Sequence, residues 1–120
     1  MGSLRFRTSS NSQNKYRAKK VVVDGYTFHS IKESKRYLQL KTLMVAGEID
    51  DLELQPRIPL MVNGKKIGSY VGDFRYKDRK GNVILEDVKS QATKTPVYNL
   101  KKKILEAQSP PIVITEVFKV

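Results

Sequence analysis

The sequence predicts an α/β fold, and three observations carry that reading. At 120 residues the chain can enclose one hydrophobic core and is too short for two. Strand-like and helix-like stretches follow one another in the order hairpin, helix, three strands, helix, strand. The last helix stands between two apolar strands, where it can cross over and add a parallel strand.

Residues 1–20 hold six basic side chains (Arg5, Arg7, Lys15, Arg17, Lys19 and Lys20) and no acidic one, spaced by Ser, Asn and Gln. Such a segment cannot bury enough apolar surface to order itself. Residues 1–14 are therefore expected to form a flexible basic arm, and residues 15–120 the folded domain. The arm's cations either reach a polyanion or stay solvated.

Next, Val21 to Val23 and Tyr26 to Phe28 flank Asp24-Gly25, a pair suited to the positive φ of a two-residue primed turn, so a short N-terminal hairpin is expected. Ser30 and Glu33 have capping-box spacing. Tyr37, Leu40, Leu43 and Met44 continue at helical spacing to a stop at Gly47. Residues 52–60 read as a strand that Pro56 and Pro59 place at an edge or bend, and Asn63-Gly64 is a second hairpin signal. Residues 67–76 and 83–89 read as strands joined by the polar turn at 78–82, which completes a three-stranded antiparallel meander. Thr95-Pro96 opens the second helix, with Val97, Leu100, Ile104 and Leu105 as its expected apolar face. Residues 112–118 form the last strand.

Lys and Arg number 23 against 12 Asp and Glu, a formal charge of +11, so a polyanionic partner is expected. Charge names the class of partner and leaves the activity open. The absence of cysteine excludes disulfides, thiolate nucleophiles and cysteine zinc sites. His29 is the single histidine, which excludes paired-histidine acid–base catalysis and argues against a Ser-His-Asp triad. Catalysis, if present, falls to carboxylates and lysine, and any metal to oxygen ligands. No apolar run approaches a membrane span and residues 8–14 are polar, so the expectation is no membrane and a cytoplasmic location.

Two expected strands carry the residues that matter for chemistry. Side chains alternate along a strand, so Asp87 and Lys89 share one face while Glu86 and Val88 take the other. Asp73 lies 14 residues before Asp87, across a tight turn, and antiparallel pairing can set the two side by side. Adjacent carboxylates repel unless a cation lies between them. Mg²⁺ or Mn²⁺ suits such a pair, because a hard cation takes one or two carboxylates and completes its shell with water and phosphate oxygens. Lys89 could then orient the attacking water or steady the developing charge of a phosphodiester under hydrolysis. An Asp-x-Lys in a basic protein is, more commonly, an ordinary surface salt bridge.

The surrounding pattern favours the chemical alternative. In its order of elements, and in Lys15-Tyr16, Asp24-Gly25-Tyr26-Thr27-Phe28, Ser30-x-x-Glu33, Gln55-Pro56, Asp73-Phe74 and Glu86-Asp87-Val88-Lys89, the chain resembles the PD-(D/E)xK, or restriction-endonuclease-like, nuclease superfamily. The closest likeness is to short phage-encoded members, over residues 14–117. The resemblance implies a core of helix, three-stranded antiparallel meander, helix and strand. It also implies metal ligation by Asp73 and Asp87, a catalytic Lys89, and a third acidic ligand, Glu33, from the first helix. Gly72 stands where the superfamily motif has proline, and Glu86 adjoins the motif carboxylate, so a strand bulge would present Glu86 in place of Asp87.

The same resemblance implies a Mg²⁺- or Mn²⁺-dependent endonuclease acting on DNA, and branched or structured DNA such as Holliday junctions in phage recombination or replication, inside a bacterial host. A domain this small has little room to read a long base sequence, so recognition of backbone shape is expected, and a homodimer would supply two cuts. Besides the arm's cations, Gln91, Lys94 and Lys101 are candidate nucleic-acid contacts. Lys101 is set apart from Lys102 and Lys103 because it lies one turn from both Val97 and Leu105. Glu33 could alternatively serve only as a cap, and Gln91 only as a loop residue. Gln55 would either line the cleft or pair backbone. Tyr16, Tyr37, Tyr70, Tyr76 and Tyr98 would either stack on bases or sit at the edge of the core. The competing function is a non-catalytic nucleic-acid-binding module of the same fold.

Overall fold

The computed structural model describes residues 4–6, 20–90 and 94–120, with Arg5 and Phe6 described by backbone alone. Leu4–Phe6 forms β1, Val21–Val23 β2 and Tyr26–Phe28 β3. Strands β2 and β3 pair antiparallel through Asp24 and Gly25, both at positive φ (54° and 79°), as a primed turn requires. Asp24 also ties the hairpin to the first helix: its Oδ2 accepts from the Tyr37 hydroxyl at 2.7 Å and lies 2.5 Å from Lys41 Nζ.

That helix, α1, spans Ile31–Val45. Ser30 is its N-cap, the hydroxyl accepting from the Glu33 N–H at 3.1 Å, and the chain leaves it at Gly47, φ 80°. Tyr37, Leu40 and Met44 point inward as expected. Leu43 lies on the flank, 37% exposed, because it is a third of a turn off the buried stripe.

The main sheet contains β1, β4 (Ile49–Leu54), β7 (Phe74–Asp78), β8 (Val83–Val88) and β9 (Ile114–Val117), in the spatial order β1-β4-β7-β8-β9. Strands β4, β7 and β8 are antiparallel neighbours, while β9 lies parallel to β8 after the crossover through α2, Pro96–Ala107. Leu4–Phe6, expected within a flexible arm, instead runs parallel to β4, pairing with Leu52–Leu54. Its pairing satisfies an otherwise open edge of β4, and Leu4 packs on the core.

The expected meander also needs correcting. Two of its three strands break, the first at Gln55 (φ 51°) and Pro56, the second at Gly72 and Asp73. The freed halves, β5 (Arg57–Val62) and β6 (Lys65–Val71), pair as a separate two-stranded hairpin turning at Asn63 and Gly64. Pro56 has no N–H to continue the ladder of β4. At the return point, Gly72 passes so near β8 that a Cβ there would lie 2.8 Å from Leu85 Cδ1. The meander in the sheet is thus β4-β7-β8, with a hairpin inserted between its first two strands.

Two cores result, one on each face. Tyr37, Leu40, Leu52, Leu54, Phe74 and Val88 pack beneath α1; Ile58, Leu60, Tyr70, Leu85, Tyr98 and Leu105 pack between the sheet, the β5–β6 hairpin and α2. Leu40, Leu52, Leu54 and Leu105 are fully buried, each contributing about 1.5–3 kcal/mol. Helix α2 buries only half of the face expected of it. Ile104 and Leu105 pack on the core as expected, whereas Val97 and Leu100 are 61% and 59% exposed and Tyr98 is buried in their place, since the helix turns toward the hairpin residues that cover it.

Candidate active site

Strand β8 separates the two cores residue by residue. Leu85, Asp87 and, just beyond it, Lys89 face the hairpin and α2; Ile84, Glu86 and Val88 face α1. The strand is unbulged at this point, pairing Glu86 with Phe74 on one side and Thr115 on the other. Asp87 is therefore the carboxylate that enters the cleft, and Glu86 is locked on the opposite face. There Glu86 receives both Arg36 Nε (2.8 Å) and Nη2 (2.6 Å) together with the Tyr76 hydroxyl, and is 1% exposed.

Asp73 occupies the break before β7. Its N–H donates to the Glu86 carbonyl at 3.1 Å, and its Oδ2 accepts from the Val88 N–H at 2.7 Å, so backbone on both sides fixes it beside Asp87. Gln55 serves this arrangement through its backbone alone, donating to the Asp73 carbonyl at 2.9 Å. Lys89 Nζ lies 3.1 Å from Asp87 Oδ1, and the Tyr70 hydroxyl donates to Asp87 Oδ2. Glu33 reaches the same place from the first turn of α1. Glu33, Tyr70, Asp73, Asp87 and Lys89, with Tyr98 and Lys101 of α2, line a cleft of about 480 Å³. The structure thus brings together Glu33, Asp73, Asp87, Lys89 and Lys101.

Burial in this cleft pushes the Glu33 carboxyl up to about 7, with the Asp87 charge adding to the rise; a backbone hydrogen bond at His29 and the Lys89 charge offset part of it. Asp73 is held well above the ordinary carboxylate range, first by burial and then by the charges of Glu33 and Asp87, against the opposing Val88 hydrogen bond. Tyr70 is likewise raised, by burial and by Asp87, so it stays a hydrogen-bond donor. Three acids crowd a site in which the charge of Lys89 only partly offsets their mutual repulsion. Among the described residues no three His, Cys, Asp or Glu side chains converge tightly enough to enclose an ion by themselves. The donor set nonetheless fits a hard divalent cation, which needs only one or two carboxylates when water and phosphate supply the rest.

Several contacts were not legible from sequence. Arg36 stands one helical turn after Glu33, and nothing in its spacing distinguishes it from other basic residues of α1. Lys32 Nζ donates to the Lys89 carbonyl at 2.8 Å, closing the end of β8. Tyr37, Tyr70, Tyr76 and Tyr98 are buried and belong to the core edge, not to a base-stacking surface. Lys94 is drawn to Glu116 (3.5 Å), as is Lys102 (3.7 Å). Lys20 is exposed near the start of β2. Arg7, Lys15, Tyr16, Arg17, Lys19 and Gln91 lie outside the described residues, as does the side chain of Arg5.

Fold and site together define a small mixed α/β domain with a cleft of carboxylates and lysine at the end of its central strands. The chain belongs to a family described as protein of unknown function (DUF1064), which matches residues 13–120. No curated protein and no solved structure matched the chain. Among the described residues, no helix is long and apolar enough to cross a membrane.

Proposed function

We propose that this protein is a metal-dependent endonuclease of the restriction-endonuclease-like superfamily that hydrolyses DNA phosphodiester bonds. The observation that carries this reading is the convergence of Asp73, Asp87 and Lys89, with Glu33 from a separate helix, in one cleft of a strongly basic chain. The order α1, β4-β7-β8, α2, β9 supports it, because it matches the core that the resemblance implies.

Asp73 and Asp87 would hold Mg²⁺ or Mn²⁺, with Glu33 as a further ligand, and the bound ion would supply Lewis-acid polarisation of the phosphodiester and acidify water. The protein's own groups do the rest. Tyr70 and the Val88 N–H fix the carboxylates, and Lys89 orients the attacking water or stabilises the extra negative charge of the transition state. Lys101 lines the cleft from α2, where it would meet the phosphate. The substrates we favour are branched or structured DNAs such as Holliday junctions, with a homodimer making two cuts and phage recombination or replication in a bacterial cytoplasm as the setting.

The test is a panel of duplex, single-stranded, flap and four-way-junction DNA incubated with the protein and Mg²⁺, Mn²⁺ or EDTA, with RNA in parallel. Cleavage of DNA only with metal is expected. Binding without cleavage in every metal would favour the non-catalytic nucleic-acid-binding module.

A further inference from the structure

The β5–β6 hairpin has one face in the core and one in solvent. Ile58, Leu60 and Tyr70 point inward, and the Met61 N–H donates to Gln108 Oε1 at 2.8 Å, holding the ribbon along α2. The outer face begins at the cleft, which Ser69 and Val71 help to line, and runs out to the turn at Asn63 and Gly64. It is basic and apolar without acidic residues: no Asp or Glu occurs between Glu53 and Asp73.

Its cations differ from seven others in the fold. Arg36, Lys41, Arg75, Arg79, Lys89, Lys94 and Lys102 each sit in an ion pair. Arg57, opposite Val71 at the cleft end, instead donates Nη1 to the neutral Ser69 hydroxyl at 3.1 Å, and no acidic side chain among the described residues pairs with it. Lys65 and Lys66 at the far end are exposed and have no such pairing among the described residues. Between these ends, Ile67 and Val71 are 57% and 41% exposed. A guanidinium aimed by a neutral hydroxyl keeps its full charge for an external anion.

We propose that the outer face of the β5–β6 ribbon is a binding surface for the sugar-phosphate backbone of duplex DNA, with Arg57 taking a phosphate beside the cleft and Lys66, opposite Met61, taking one farther along, its field reinforced by the adjacent charge of Lys65 at the ribbon's end. Five residue steps separate Arg57 from Val62 at the turn, or about 17 Å at strand rise. That spans about five base steps of a strand at about 3.4 Å each. Two fixed cationic ends that far apart match a stiff duplex better than a flexible single strand, and the apolar centre suits the deoxyribose edge. The proposal rests on the nuclease reading for the orientation of the duplex at the cleft.

The experiment measures duplex binding in EDTA, where no cleavage can occur, across a salt titration for wild type, Arg57→Ala, Arg57→Gln, the double variant Lys65→Ala/Lys66→Ala, and Arg79→Ala at the opposite end of the sheet. Each ribbon variant should weaken binding about tenfold at low salt and reduce the slope of log affinity against log salt by about one for each phosphate no longer neutralised. Arg57→Gln keeps a donor for Ser69, so its effect reports charge and not folding. Arg79→Ala should leave the slope unchanged. Unchanged slopes in the ribbon variants, an equal weakening for Arg79→Ala, or equal effects on single-stranded DNA or RNA would overturn the proposal. A wild type that binds with the expected slope and never cuts in Mg²⁺ or Mn²⁺ would defeat the nuclease reading while leaving the ribbon surface standing.

Discussion

Lys89 Nζ stands 3.6 Å from the centre of the Tyr98 ring, on a path that also brings it to Asp87. Tyr98 is fixed in turn, its hydroxyl donating to Glu116 Oε2 at 2.6 Å. The aromatic face therefore restricts where the ammonium can stand, by an attraction of about 0.5–2 kcal/mol.

Tyr98→Phe keeps that face and loses only the hydrogen bond to Glu116, so it should retain at least a third of the cleavage rate. Tyr98→Leu frees the lysine and should cost about tenfold in single-turnover rate, with DNA affinity within about twofold of wild type. Equal rates for the two variants would show that the ring does not position Lys89.

Substituting the carboxylates should separate chemistry from binding. Asp73→Asn and Asp87→Asn each remove a ligating charge from a surface that repels phosphate, so cleavage should fall by 10³ or more, on the order expected for loss of metal catalysis, while DNA binding holds or improves. Glu86→Gln should act differently: it strips the charge that Arg36 requires beneath α1, lowering stability by about 3 kcal/mol without a specific effect on metal dependence. Denaturant melts beside cleavage assays distinguish the two classes.

The raised acids give the metal-free protein a definite pH dependence. Glu33 changes from an ordinary 4.5 to about 7 on folding, so the folded state binds protons more readily than the unfolded chain. Its favourable contribution is complete below about pH 4.5 and is lost as pH rises through about 7; Asp73 adds in the same direction. Glu33→Gln should therefore stabilise the metal-free protein by about 1–3 kcal/mol at pH 8 and by little at pH 4, and Mg²⁺ should stabilise the wild type more at pH 8 than at pH 5.5. Thermal melts at those pH values, with and without metal, check the sign.

Gly72 stands where the resemblance to the nuclease superfamily would place proline, and its surroundings favour glycine. Its N–H donates to the Pro56 carbonyl at 3.0 Å, closing the neck of the inserted hairpin, and proline in its place would lack that donor and collide with Leu85. Gly72→Pro should cost about 2–4 kcal/mol and loosen Asp73. A variant as stable as wild type by denaturant melt would show that the neck does not depend on this contact.

Much of this architecture was legible because local chemistry and final structure agree. Asp24-Gly25, Ser30, Asn63-Gly64 and Thr95 each do in the fold what their residue types favour. Alternation along β8 also separated Asp87 and Lys89 from Glu86. The separation of the Asn63-Gly64 hairpin from the main sheet was hidden because β6 and β7 are continuous in sequence apart from Gly72 and Asp73, and a break there depends on contacts with Pro56 and Leu85, both distant in the chain. Val97 and Leu100 of α2 depart from the expected face for a related reason, while Ile104 and Leu105 keep to it. Tyr98 is buried by the hairpin, and spacing within α2 carries no information about which surface will cover it. The Arg36–Glu86 pair, 50 residues apart, likewise had no local signature.

The most direct test of the account is single-turnover cleavage of a four-way DNA junction by wild type, Lys89→Ala and Lys89→Arg across a Mg²⁺ titration. The lysine acts on water or transition-state charge, so Lys89→Ala should lose about 10² or more in rate at saturating metal, with metal affinity unchanged or improved. Lys89→Arg should not restore the rate, because a guanidinium has a different reach and does not give up a proton near neutral pH. Near-wild-type cleavage by Lys89→Ala at saturating Mg²⁺ would contradict the account, leaving Lys89 as no more than the salt-bridge partner of Asp87.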